Sequence, residues 1–464
     1  MQDSAAAALA LYEAGEGHMQ AGRWEPAAQC FRQALQQDPL LAQAHANLGY
    51  VLDQSGAFAE AERCYRTALA LAPFSATLQL NLGALLAQQK RHAEAEACYA
   101  AALALEPQSS AIWSNLGALH LALKNEETAD TCLRHAMALE PENAKARFNL
   151  AYLQLRHGQY AEGWALFEAR DWYRSMAQRL AFARWQGEAL DGLSLLVVFE
   201  AGHGDVIQFC RYVPLLKARG ARRITLLCHP ALAQLLRALD GLDAVCALDE
   251  PLPQESFDYW MPLMSAPYHL GTRLDSVPAE LPYLQADPAR QTYWSQRIPA
   301  GTALRVGLVW KGNPQFENDA ERSLAHLHML EPLWQVPGVQ FVSLQKGAGE
   351  GEAALCSAQQ ALTDLGPSMR DFADAAAIAT QLDLVITVDT AMAHLAGALG
   401  KPCWLLLPWY MTDWRWGDQA ADSVWYPGVM RLFRQGSDAE WAPVIAEVAQ
   451  ALMERSMPHS NPQA

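Results

Sequence analysis

The stretch Asp383-Leu384-Val385-Ile386-Thr387-Val388-Asp389-Thr390-Ala391-Met392-Ala393-His394-Leu395-Ala396 decides how the C-terminal half of the chain is read. The run up to Val388 is apolar and β-branched, which predicts a strand buried on both faces. It stops at Asp389-Thr390, and small residues typical of a helix follow. A buried strand feeding a helix is the unit of a doubly wound α/β sheet, which binds ligands at the carboxyl ends of its strands. The free N–H groups and dipole of the helix starting at Ala391 and Met392 suit a pyrophosphate. Asp389 is placed to accept hydrogen bonds from sugar hydroxyls. The plainer reading is a capped helix with His394 in the core.

Working outward, the same pattern recurs. Arg305–Trp310, Val339–Leu344 and Cys403–Leu407 read as further strands. The first ends in Lys311-Gly312-Asn313-Pro314, with Asn318, Asp319, Arg322 and Ser323 in the loop beyond; the second ends in Gln345-Lys346-Gly347. The segment Trp409–Asp418 is dense in aromatics and reads as a loop, either stacking on a ligand or packing between lobes. A last helix is expected from about 438 to 455, with a disordered tail over 458–464.

Upstream lies a second α/β unit. Leu195–Phe199 reads as a buried strand, followed by Glu200-Ala201-Gly202-His203-Gly204-Asp205 and a helix over Val206–Arg219. Further apolar runs follow at Ile224–Cys228 and near Val245. The glycines do not match the dinucleotide fingerprint, which argues against NAD. On local sequence Asp205 is a helix cap.

The first third repeats with a period of 34 residues. Cys30, Cys64, Cys98 and Cys132 obey it, as do Pro39, Pro73, Pro107 and Pro141, and Gly15, Gly49, Gly83 and Gly117. This period resembles the tetratricopeptide repeat, two antiparallel helices per unit. Glycine and alanine let the helices approach, bulky residues fill the seam, and proline ends the second helix. The periodic cysteines are expected as small buried apolar residues, with no metal. Asn47, Asn81, Asn115 and Asn149 also step by 34. They resemble the asparagine ladder of eukaryotic O-GlcNAc transferases, which implies a polypeptide held by its backbone; bonding within the fold is the alternative. The array is expected over 8–177, about five repeats with the last partial, and a linker over 178–192.

Gly204-Asp205-Val206-Ile207 and Asp389-Thr390-x-x-x-His394-Leu395-Ala396 are similar to motifs of the bacterial heptosyltransferases, glycosyltransferase family 9. The resemblance implies a GT-B fold, two Rossmann-like lobes over 193–300 (acceptor side) and 301–457 (donor side). It implies an inverting, metal-independent transferase using a nucleotide-diphosphate sugar. Asp205 would be the general base. Asp389, Thr390, Ala391, Met392, His394 and Arg322 would hold the donor, with Lys311, Gln345 and Lys346 as further contacts. A tetratricopeptide array beside such a domain implies a protein acceptor or partner. A surface glycolipid acceptor and a non-catalytic scaffold are the alternatives.

The net charge of −16 argues against nucleic acid and anionic membranes as partners. No apolar run is long enough to span a bilayer. Nine cysteines without a Cys-x-x-Cys pair point to a reducing cytoplasm. No cofactor is expected beyond the donor itself.

Overall fold

The structure, a computed structural model, describes residues 2–251, 256–355, 362–418 and 420–457; the expected tail lies outside them. Packing divides the chain into Met1–Leu150 and Ala151–Ala464.

The first unit is a tetratricopeptide superhelix. Its helices are α1 (Gln2–Gln20), α2 (Trp24–Gln37), α3 (Ala42–Gln54), α4 (Phe58–Leu71), α5 (Ala76–Gln88), α6 (His92–Leu105), α7 (Ser110–Ala122) and α8 (Glu126–Leu139), with α9 (Ala144–Arg156) running on past Leu150. Each periodic proline stands two residues beyond the end of α2, α4, α6 or α8, where a helix cannot continue. The periodic glycines allow close approach as expected. A Cβ on Gly83 would lie 2.6 Å from the Tyr99 ring. The turn inside each pair uses a left-handed residue, also every 34: Gly22, Gly56, Lys90 and Lys124 all have φ between 57° and 77°. The lysines adopt it at a cost of about 1 kcal/mol each, so the repeat imposes the turn even without glycine. Arg32–Glu60 and Arg66–Glu94, both 3.2 Å, form ion pairs from repeat to repeat. Cys64 and Cys132 are buried, and burial pushes both thiols up, Cys64 to about 11.

The second unit begins with the end of α9, α10 (Tyr160–Phe167) and the short α11 (Arg174–Ala177). Thus the helices expected to close the array at 177 pack with the sheets. Two wholly parallel sheets follow, in a GT-B-like arrangement. In the first, β1 (Ala183–Arg184), β2 (Ser194–Val198), β3 (Arg223–Cys228), β4 (Ala244–Ala247) and β5 (Tyr259–Pro262) take the order β1-β5-β2-β3-β4. The second contains β6 (Leu304–Val309), β7 (Val339–Ser343), β8 (Leu362–Asp364), β9 (Leu384–Val388), β10 (Cys403–Leu407) and β11 (Met430–Arg434), in the order β11-β10-β9-β6-β7-β8. β2, β9 and β10 are buried throughout, as their unbroken apolar runs predict.

One expected element is corrected. The helix predicted over Val206–Arg219 is α12 (His203–Phe209), a 3-10 turn (Cys210–Tyr212) and α13 (Val213–Ala218). Pro214 has no N–H to give the Cys210 carbonyl, so the helix tightens there and restarts. α14 (Pro230–Leu236) follows β3, and the closing helix is Trp441–Ser456.

Candidate active site

Two strand ends supply the carboxylates. β2 is followed by Glu200, then Ala201 at φ 57°, then α12. Glu200 is fully buried and holds this loop: it receives the Arg170 guanidinium at 2.8 Å and the Met264 N–H at 2.9 Å. Asp205 is the third residue of α12. The cap expected of Asp205 falls to Gly202, because the helix starts three residues earlier than the sequence suggests, and Asp205 Oδ2 instead accepts from the Gly202 N–H at 2.8 Å. Its Oδ1 accepts from Nη2 of Arg415. Burial raises the Asp205 carboxyl above its usual range, while Arg415 pulls it down.

In the second sheet, β9 runs into Asp389-Thr390 and α15 (Ala391–Ala398). Thr390 caps α15, its Oγ1 accepting from the Met392 N–H at 3.3 Å and bonding Thr387 Oγ1 at 3.0 Å. Asp389 Oδ2 accepts from the Trp416 indole N–H at 3.0 Å. Burial and then Asp413 push its carboxyl up to about 6, against the pull of Arg322 and Arg415. His394 is a core residue of this unit. It bonds Tyr426 at 2.9 Å, stacks on Trp416 at 5.3 Å, and is held neutral by burial.

The two helices meet. A Cβ on Gly204 would lie 2.7 Å from the His394 ring and 3.4 Å from the Ala391 Cα. Only glycine lets α12 settle on the first turn of α15, and that brings Asp205 beside the Asp389 turn.

Arg415 joins them. It sits in the 3-10 turn Trp414–Trp416, within the aromatic loop, and is itself buried. Besides Asp205 it donates to both Asp413 oxygens at 3.0 Å and to Gln208. The loop is held from behind by α9 and α10. Arg156 donates to the Thr412 carbonyl at 3.0 Å, and Trp164 stands edge-on to Trp414 at 5.3 Å. The lobe-packing reading of this loop is thus the one the contacts bear out. Sequence reasoning missed Arg415 and Asp413; a buried-type tryptophan pair flanking an arginine was the available signal.

The remaining predicted residues are scattered around the donor side. Arg322 bonds Asp319 at 3.0 Å and lies over the Phe316 ring. Lys311 is paired with Glu352, and Lys346 reaches the Pro367 carbonyl at 3.2 Å. Gln345 is a correction. Its amide is buried and spent on the backbone: Oε1 accepts from Trp310 and Lys311 N–H at 2.9 and 3.0 Å, and Nε2 donates to the Ala348 carbonyl at 2.7 Å. It splices the ends of β6 and β7, so that amide is not a nucleoside contact. The asparagines also divide. Asn47 donates to Tyr12 at 3.2 Å and Asn115 to the Ala111 carbonyl at 2.8 Å, both within the fold. Lys145 donates to Asn115 at 2.8 Å. Asn81 is half-buried on α5, and the buried Asn149 Nδ2 has no hydrogen-bond partner.

Comparison with known proteins agrees with both halves. Tetratricopeptide-repeat families match residues 12–62, 50–110, 80–135 and 132–165. Glycosyltransferase family 9 (heptosyltransferase) matches 338–405, which includes the Asp389 turn but neither Asp205 nor Arg415. Protein FlbA of Caulobacter vibrioides is 30% identical over 326 residues, covering 65% of this chain and 54% of FlbA. The chain therefore spans about half the length of that curated relative. Among solved structures, pilF of Pseudomonas aeruginosa is 29% identical over 36% of this chain and 77% of its own, TM-score 0.33. MamA of Desulfovibrio magneticus RS-1 is 19% identical over 36% and 96%, TM-score 0.32. No helix among the described residues is long and apolar enough to cross a membrane. The chain carries tetratricopeptide repeats in its N-terminal region and a segment of glycosyltransferase family 9 type in its C-terminal region.

Proposed function

We propose that this protein is a glycosyltransferase of the heptosyltransferase type, moving a sugar from a nucleotide-diphosphate sugar to an acceptor hydroxyl. The observation that carries the reading is that one buried turn ties together two carboxylates standing beyond strands of two parallel sheets, Arg415 bonding Asp205 and its neighbour Trp416 bonding Asp389. Such a meeting of strand ends is where α/β folds place ligands.

The donor diphosphate lies at the start of α15, beneath Thr390, Ala391 and Met392, with Arg322 neutralising it and Asp389 meeting sugar hydroxyls. Lys311 and Lys346 border the same strand ends. Asp205 takes the proton of the acceptor hydroxyl as its oxygen bonds to the anomeric carbon from the face opposite the diphosphate. The bond from that carbon to the diphosphate oxygen breaks, and the nucleoside diphosphate leaves with the electron pair. The configuration inverts. Helix N–H groups and arginine meet the departing charge, so transfer persists in a chelator. The repeats support a polypeptide acceptor or partner, with Asn81 and Asn149 the ladder members left to contact it. The work is placed in the cytoplasm, where nucleotide sugars are made.

A thermal-shift screen against UDP, GDP, ADP and dTDP and their sugars tests the donor site, because a ligand of the folded state raises its melting temperature. One selective shift is expected, and Asp389→Ala abolishes it. With the donor so named, Asp205→Asn lowers kcat by about 10²–10⁴. A well-folded protein that no donor shifts is instead a repeat scaffold with a retired transferase domain. The engagement of both Asp205 oxygens, by Gly202 and Arg415, favours that second reading.

A further inference from the structure

Asp205 cannot act as a base in the state the structure shows. One oxygen holds the Gly202 N–H, the other holds Arg415. Both oxygens already accept hydrogen bonds, so an acceptor hydroxyl has to displace one of these partners before it can reach the carboxylate. Releasing it requires that Arg415 find a better anion.

The better anion has a place beside it. Trp416, next in the chain to Arg415, already bonds Asp389 at 3.0 Å, so Arg415 is anchored at the edge of the donor turn. Its guanidinium spreads over three acceptors, Asp205, Asp413 and Gln208, with Asp413 receiving two of the bonds. Asp413 alone keeps the group paired when the Nη2 contact to Asp205 is given up. A diphosphate presents more charge and more oxygens to a planar fork than one carboxylate does.

We propose that Arg415 couples the two substrates: a nucleoside diphosphate bound at the Asp389 turn draws Nη2 of Arg415 away from Asp205, so that donor occupancy frees the base. The inference rests on the transferase reading above. Its consequence is compulsory order, donor before acceptor. Without donor, the carboxylate stays locked and no hydroxyl, water included, is activated.

Linkage makes this measurable without an acceptor. If Asp205 competes with the diphosphate for Arg415, removing the charge of Asp205 strengthens diphosphate binding. The full chain is titrated calorimetrically with UDP, GDP, ADP and dTDP, as wild type, Asp205→Asn, Arg415→Lys and the double variant. Asp205→Asn is expected to bind its diphosphate about tenfold tighter than wild type. Arg415→Lys loses about tenfold, and in its background Asp205→Asn no longer tightens binding. A folding defect does not tighten a ligand, so the sign separates competition from damage. Asp205→Ser repeats the test should the asparagine variant misfold. A diphosphate that binds wild type and Asp205→Asn equally well overturns the coupling and leaves the donor site standing. Failure of every diphosphate to bind either protein overturns the donor site and the coupling together.

Discussion

Asp205 and Asp389 stand beyond two strands buried along their whole length, Asp389 as the next residue after β9 and Asp205 in the helix that follows β2. Their surroundings differ. Asp205 lies inside its helix with both oxygens engaged, one by backbone and one by a buried cation. Asp389 lies before its helix, is bonded by a neutral indole, and is crowded by the Asp413 carboxylate. Burial raises the proton affinity of both, but one carboxylate is locked by a cation and a backbone N–H, and the other is crowded by a second carboxylate. The two are set apart by what the 409–418 loop brings to each, Arg415 to one and Trp416 to the other.

The most disruptive way to break this comparison is Arg415→Met. It leaves the partly buried Asp205 and Asp413 without a cation; breaking a fully buried ion pair costs about 3–5 kcal/mol, and the partial exposure of these carboxylates brings the expected loss to about 2–3 kcal/mol. Urea unfolding should show that loss, and adding Asp205→Asn should recover part of it. A loss below about 1 kcal/mol would mean that water already solvates the pair.

A smaller break acts on the contact between the two turns. Gly204→Ala places a Cβ 2.7 Å from the His394 ring. Overpacking of this kind costs about 1–3 kcal/mol, and the ring cannot retreat because Trp416 and Tyr426 hold it. His394→Ala should relieve the alanine while being destabilising alone, a coupling that a double-mutant cycle reads directly. Simple additivity would show that α12 and α15 do not bear on each other.

How far this site could be read from the sequence follows from distance along the chain. The Asp389 turn is local: strand, cap and helix are consecutive, so residue order announces them. The period of 34 was legible for the same reason, since each repeat packs on its neighbour. Asp205 was legible at a helix start, yet its partner Arg415 stands 210 residues away, and no local pattern connects the two. The interior strand β5, between β1 and β2, escaped because it is four residues long and ends in Pro262. Gln345 was placed at the right strand end but given the wrong task, because burial turned its amide toward the backbone. Asn47 and Asn115 sit at the expected repeat position, and nearby Tyr12 and Ala111 captured their amides.

The finest test reads the proton affinity of Asp389. Burial and Asp413 hold the Asp389 carboxyl at about 6, above its ordinary value of 3.8. A carboxyl whose affinity rises on folding stabilises the folded chain while protonated, and that stability fades as pH climbs through 6. Asp389→Asn mimics the protonated form and can still accept from Trp416. The variant and the wild type should therefore be equally stable near pH 4. They should part between pH 4 and 6, and above that the asparagine should be ahead by about 1–2 kcal/mol, allowing for solvent screening at this half-open position. Urea melts at pH 4 and pH 7.5 measure it. A gap of the same size at both pH values would mean the gain comes from packing, and the contrast between a locked and a strained carboxylate would collapse to a difference in shape.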